Sequence, residues 1–110
     1  MKAMLSILKQ IKEVLLTVSP NVFHYEGNNK NDKYIVWAEE GEGSSLEADN
    51  LKQMRTIQGT IDYFTKADED ETVDEIETAL KNANISFSLN SVQYEDETNF
   101  IHYEWLFEVM

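Results

Sequence analysis

The sequence predicts an α+β fold in which two helices pack on a small, mainly antiparallel sheet, in the order α-β-β-α-β-β. Three patterns carry this expectation. Apolar residues recur at helical spacing near the start of the chain. Apolar and polar residues alternate in the middle and toward the end. Between the alternating stretches lies an acid-rich segment with a narrow apolar stripe, the mark of a helix that buries one face only. At 110 residues and 42% apolar content the chain is long enough for one core, so residues 1–110 read as a single domain.

The first helix is expected over 3–18. Met4, Leu8, Ile11, Leu15 and Val18 step by four and three, with Ile7 and Val14 beside them. Ser19-Pro20 ends it, because a residue before proline is pushed out of the helical region. Lys9, Gln10, Lys12 and Glu13 interrupt the apolar run, which predicts neither a secretion signal nor a membrane span there. Residues 22–26 read as a short strand or an extended segment, 27–32 (GNNKND) as a turn, and 34–39 (YIVWAE) as a strand. Two glycines, two serines and several acids then predict a long, mobile, exposed loop over 40–54.

In 55–65, Ile57, Gly59, Ile61 and Tyr63 share one face, which predicts a half-buried strand with a bulge or a close backbone approach at Gly59. The second helix is expected within 66–84. Thr72 followed by Glu75 fits a capping box, and an N-cap at Asp70 is the alternative. Val73, Ile76, Leu80 and Ala83 form its stripe. Ile85, Phe87 and Leu89 alternate, then the phase moves to Val92 and Tyr94, which predicts a strand with a bulge near Asn90-Ser91. Residues 95–99 (EDETN) are a hairpin-length connection. In the last strand Ile101, Tyr103, Trp105, Phe107 and Val109 point one way and are expected in the core. Phe100, His102, Glu104, Leu106 and Glu108 point the other way and suit a wet or subunit-facing surface.

Chemistry is sparse. Without cysteine there are no disulfides, thiol nucleophiles or thiolate metal ligands. His24 and His102 are far apart in sequence, each beside a tyrosine, and neither belongs to a metal-ligand spacing. The run DEDE at 68–71 lacks the glycine of a calcium loop and reads as helix-start charge. Ser44 and Ser45 have no nucleophile elbow around them, and GEG at 41–43 lacks the rest of a phosphate loop. The expectation is therefore a protein that is not an enzyme, with no catalytic, metal or cofactor-binding residues. The net charge of −12 is lopsided: residues 1–66 carry eight basic and nine acidic groups, while 67–110 carry Lys81 against twelve acids. Such a surface repels phosphate backbones, so sequence-specific nucleic-acid binding is not expected.

Specific stretches add to this. ADN (48–50), TIQGTIDYFTK (56–66) and NSVQYEDETNFIHYEWLFEV (90–109), with VDEIETAL (73–80) between the last two, resemble small acidic proteins of tailed bacteriophages and prophages, of the tail terminator (tail completion, head-tail joining) type. The resemblance covers roughly 34–110. It implies a virion structural protein, assembled in the bacterial cytoplasm, that forms a hexameric ring at the head-proximal end of the tail tube. A subunit of this type can be monomeric alone, and its partners are the tail tube protein and the head connector protein. Other joining or connector subunits and an acidic, DNA-mimicking binding module are the alternatives. The residues expected at a subunit or partner interface are Glu42, Ser44, Leu46, Asp49 and Leu51 in the loop, and Glu104, Leu106 and Glu108 on the wet face of the last strand.

Overall fold

The computed structural model describes residues 3–27, 31–43 and 55–109. Within them the chain forms α1 (Met4–Leu16), β1 (Val22–His24), β2 (Lys33–Glu42), β3 (Ile57–Thr65), α2 (Thr72–Asn82), β4 (Ser86–Glu95) and β5 (Phe100–Val109). The α+β class stands, but the order is α-β-β-β-α-β-β, with five strands rather than four. The added strand is β1. Three residues are too few to show an alternation, and they become a strand only by pairing in parallel with β2, Val22 opposite Ile35 and His24 opposite Trp37. The strand order is β1-β2-β3-β5-β4, and the other three pairings are antiparallel.

The helix α1 carries no acid in its first turn and no base in its last, so its dipole is uncompensated and packing must hold it. Ile7, Ile11 and Leu15 are fully buried and supply that packing. Beyond Leu16 the Thr17 hydroxyl donates to the Val14 carbonyl at 2.6 Å, and Pro20 prevents a further turn.

Residues 40–42 extend β2 instead of opening the expected loop, because Gly41 and Glu42 find partners in Gln58 and Ile57 after a register shift beyond Glu39. Residues 44–54 of that loop lie outside the described residues. Gly59 faces the shift, and a Cβ there would stand 2.0 Å from the Ala38 carbonyl oxygen. The close approach expected at this glycine is real. The register of β4 on β5 also shifts between Leu89 and Ser91. That extra residue keeps Val92 and Tyr94 on the same side as Phe87 and Leu89, which a regular strand would not do.

One face of the sheet carries both helices. Ile35, Trp37, Ile57, Ile61, Tyr63, Trp105, Phe107 and Val109 meet the α1 row together with Ile76 and Leu80 of α2. Trp105 is fully buried, and its indole N–H donates to Glu77 on α2 at 2.8 Å. The expected α2 shortens at its start. Residues 66–71 form turns, with Glu69 in the left-handed region, and the Thr72–Glu75 capping box is replaced by the Asp70 alternative. The Asp70 carboxylate, only 4% exposed, accepts the Thr72 amide at 2.9 Å and the Tyr63 and Thr65 hydroxyls at 2.7 Å each, with Lys33 Nζ at 3.4 Å. Burial opposes ionisation, but the hydroxyls of Thr65 and Tyr63 and the Thr72 amide outweigh it and hold the carboxyl well below the usual range. Burial, reinforced by Asp70, pushes the Tyr63 phenol up to about 12.

The other face was expected to be wet along β5, and Phe100 corrects that. It is 2% exposed and packs with Tyr34 and Val36 in a second, smaller cluster that Phe23 and Phe64 join. Phe100 stands edge-on to Tyr34 (5.6 Å between ring centroids) and to Phe64 (6.1 Å), while Tyr34 and Phe64 stack at 4.7 Å. The aromatic residues of neighbouring strands come together here because the β2–β3–β5 pairing sets Tyr34 opposite Phe64. Conversely, Ile101 and Tyr103, expected in the core, are only half-buried, Tyr103 packing at the border of the main cluster.

Two outcomes follow. Trp105→Ala should cost about 3–5 kcal/mol in urea unfolding, since it empties the largest buried site and strips Glu77 of its donor. The Asp70 carboxyl has its folded pKa below its unfolded one, so its contribution is complete above about pH 4 and fades as pH falls further. Thermal melts of Asp70→Asn should therefore show a lower midpoint at neutral pH and a shallower decline into acid than the parent.

Candidate functional site

The candidate interface residues divide. Ser44, Leu46, Asp49 and Leu51 lie outside the described residues. Glu42 is exposed at the end of β2, with Arg55 Nε 3.5 Å from its carboxylate. Glu104, Leu106 and Glu108 fall on the helix-free face, where alternation put them. Glu104 is half-buried and accepts the Asn90 amide at 2.8 Å, Leu106 is 43% exposed between Thr60 and Ser88, and Glu108 lies across from Gln58 and Ser86. The Glu108 carboxylate presses against Gly43, where any Cβ would collide with it. Glu42, opposite Ile57, registers with the helix-side row, whereas Leu106 and Glu108 lie on the other face of the sheet, with Glu104 further along β5.

Higher on the same face, His102 Nε2 and Asp62 Oδ1 are 2.7 Å apart, Glu95 lies 3.6 Å from Nδ1, and the imidazole stacks on Phe64 at 4.2 Å. The bond to Asp62 raises the histidine pKa against the opposing effect of burial, with the charges of Asp62, Glu95 and Glu104 adding to it. His24 has a matching partner at the β1 edge. It lies 2.7 Å from Glu39, sandwiched between Tyr25 (3.8 Å) and Trp37 (3.9 Å), and Tyr25 also donates to Glu39. Both histidines thus act as tethers between strands. Among the described residues no group of three His, Asp or Glu is arranged to hold a metal ion.

Two further surfaces escaped the sequence reading. Leu89 (51% exposed), Val92 (49%) and Tyr94 (59%) form an apolar platform on β4, an edge strand of the sheet, continued inward by half-buried Ile101 and Tyr103. It lies on the helix-bearing face but beyond the helices. At the opposite edge, α1 and the β1–β2 pair enclose a shallow groove of about 480 Å³. Its apolar walls are Leu5, Leu8 and Trp37, and Lys9 and Lys12 stand on its rim. The alternation of β4 was visible in the sequence. What alternation could not tell is that the helices stop short of half of it.

The pairing of His102 has a measurable consequence. A raised folded pKa contributes stability below the unfolded value near 6.5, and that contribution is lost as pH rises through the folded value. Proton titration by NMR should find His102 above an ordinary histidine, and Asp62→Asn should bring it down.

No family model matches the chain, and no curated protein matches it. Among solved structures, a chain described as "Virion of native gene transfer agent (GTA) particle" shares the fold, with a TM-score of 0.56 at 11% identity over 96% of this chain and 92% of the other.

Proposed function

We propose that this chain is a virion structural subunit of a tailed phage, a prophage or a related particle. Within that class we assign it to tail termination: a ring of identical subunits, hexameric by the resemblance, closing the head-proximal end of the tail tube and meeting the head connector. The observation that carries the reading is the near end-to-end fold match with a chain of a virion particle. The stretches that resemble tail terminator proteins supply the finer step. The stretches at 56–66, 73–80 and 90–109 fall on β3, α2, β4 and β5, while ADN (48–50) lies outside the described residues.

The physics is consistent with such a role. A surface of net charge −12 leaves passing DNA unbound, as a conduit requires. The work is mechanical and needs no catalytic centre. Other head-tail joining positions are the second reading, because the description of the GTA chain names the whole particle and no position within it.

Tail tube protein assembled in the presence of this chain should give tubes capped at one end by a ring in electron micrographs, and host particles lacking the gene should carry tails of irregular length. Tubes that stay uncapped, with the protein seated at the head vertex instead, would place it among the connector subunits.

A further inference from the structure

The platform on β4 and the groove along α1 are on opposite edges of one sheet. Their rims also differ in charge, although Glu39 lies behind the groove against His24. Residues 1–16 carry three lysines against one glutamate, and residues 82–110 carry five carboxylates and no lysine or arginine. Asp96 and Glu97 stand exposed at the turn where the platform ends, near Tyr94, and Lys9 and Lys12 rim the groove. The lysine rim of the groove is therefore complementary to the acidic tip of the β4–β5 hairpin.

We propose that the β4 platform of one copy (Leu89, Val92, Tyr94) docks against the α1 groove (Leu5, Leu8) of the next copy, with Lys9 and Lys12 facing Asp96 and Glu97. The inference rests on the ring reading above and adds which surfaces make the ring. Two different patches on opposite edges give a head-to-tail contact, and such contacts generate closed rings when the rotation between copies closes. A platform meeting itself tip to tip would bring two sets of carboxylates together, and an antiparallel self-contact would leave the Lys9 and Lys12 rim unmatched. The edge strand supports the same conclusion. From Ser86 to Tyr94 it has no charged residue or proline, and the bulge at Asn90 is its one guard, so the edge is weakly protected against pairing. Covering it with the next subunit removes that hazard.

The absence of cysteine makes the contact directly testable. Leu5→Cys and Tyr94→Cys are made as single variants, mixed and oxidised, both in concentrated solution and with tail tube protein present. Both side chains are more than half exposed, so parent-like melting is the control for folding. The expected result is a mixed Leu5→Cys/Tyr94→Cys cross-link in large excess over either homotypic one, and a ladder of finite length from the double variant. Lys9→Glu with Lys12→Glu should abolish the cross-link, and Asp96→Lys with Glu97→Lys in the neighbouring copy should restore it. A predominant Tyr94–Tyr94 product would overturn the head-to-tail contact. Rings in sedimentation that give no mixed cross-link and ignore the charge exchange would also overturn it while leaving the ring reading intact. Failure of the parent to self-associate with or without tube protein would remove both.

Discussion

Burial of the helix-facing row of β5 is the constraint on which the rest of the molecule depends. This strand lies between β3 and β4, so its backbone is paired on both sides and its side chains on one face form the floor under both helices. Trp105, Phe107 and Val109, all buried, join the core that holds two short amphipathic helices that are marginal in isolation. Their burial fixes the register with β3, which sets Tyr63 and Thr65 where their hydroxyls meet Asp70. The start of α2 is thereby tied to the sheet by hydrogen bonds as well as by packing.

The same constraint leaves a remainder. The helices cover the sheet near Trp105 but not the outer halves of β4 and β5, where the bulge at Asn90 nevertheless keeps apolar residues on the helix side. A regular strand without the bulge would have turned Val92 and Tyr94 toward the helix-free face, and because both are about half exposed it would have given up only part of the burial a core residue has. Their orientation is easier to explain by what lies outside the subunit than by what lies inside it. The second cluster around Phe100 makes a contrasting case. There the helix-free face buries its own aromatic residues with no helix, by stacking rings from adjacent strands and letting Lys66 sit 5.1 Å above Phe100.

Acidic excess is distributed in keeping with this division. Carboxylates that the fold uses are paired: Asp70 with hydroxyls and an amide, Asp62 with His102, Glu39 with His24 and Tyr25, Glu77 with Trp105. Glu95 likewise lies against His102, whereas Asp96 and Glu97 stand exposed at the tip of the β4–β5 hairpin, and the only basic side chains on α1 stand at the far edge of the sheet. A head-to-tail neighbour would bring the two together.

What the sequence determined by itself is local. The spacing of Ile7, Ile11 and Leu15, the alternation from Ile57 to Tyr63, the glycine at 59, the phase slip at Asn90 and the parity of the last strand are each written in neighbouring residues, and the structure repeats them. The placement of Glu104, Leu106 and Glu108 on the helix-free face was legible for the same reason. What only the tertiary structure decided depends on partners far away in the chain. β1 is a strand because β2 lies beside it. Asp70 caps α2, in place of Thr72 and Glu75, because Tyr63 and Thr65 reach it from β3. Phe100 is buried because Tyr34 and Phe64 flank it, and Tyr94 is exposed because no helix extends over it. Periodicity specifies which residues share a face, and only the packing of distant elements determines whether that face is covered.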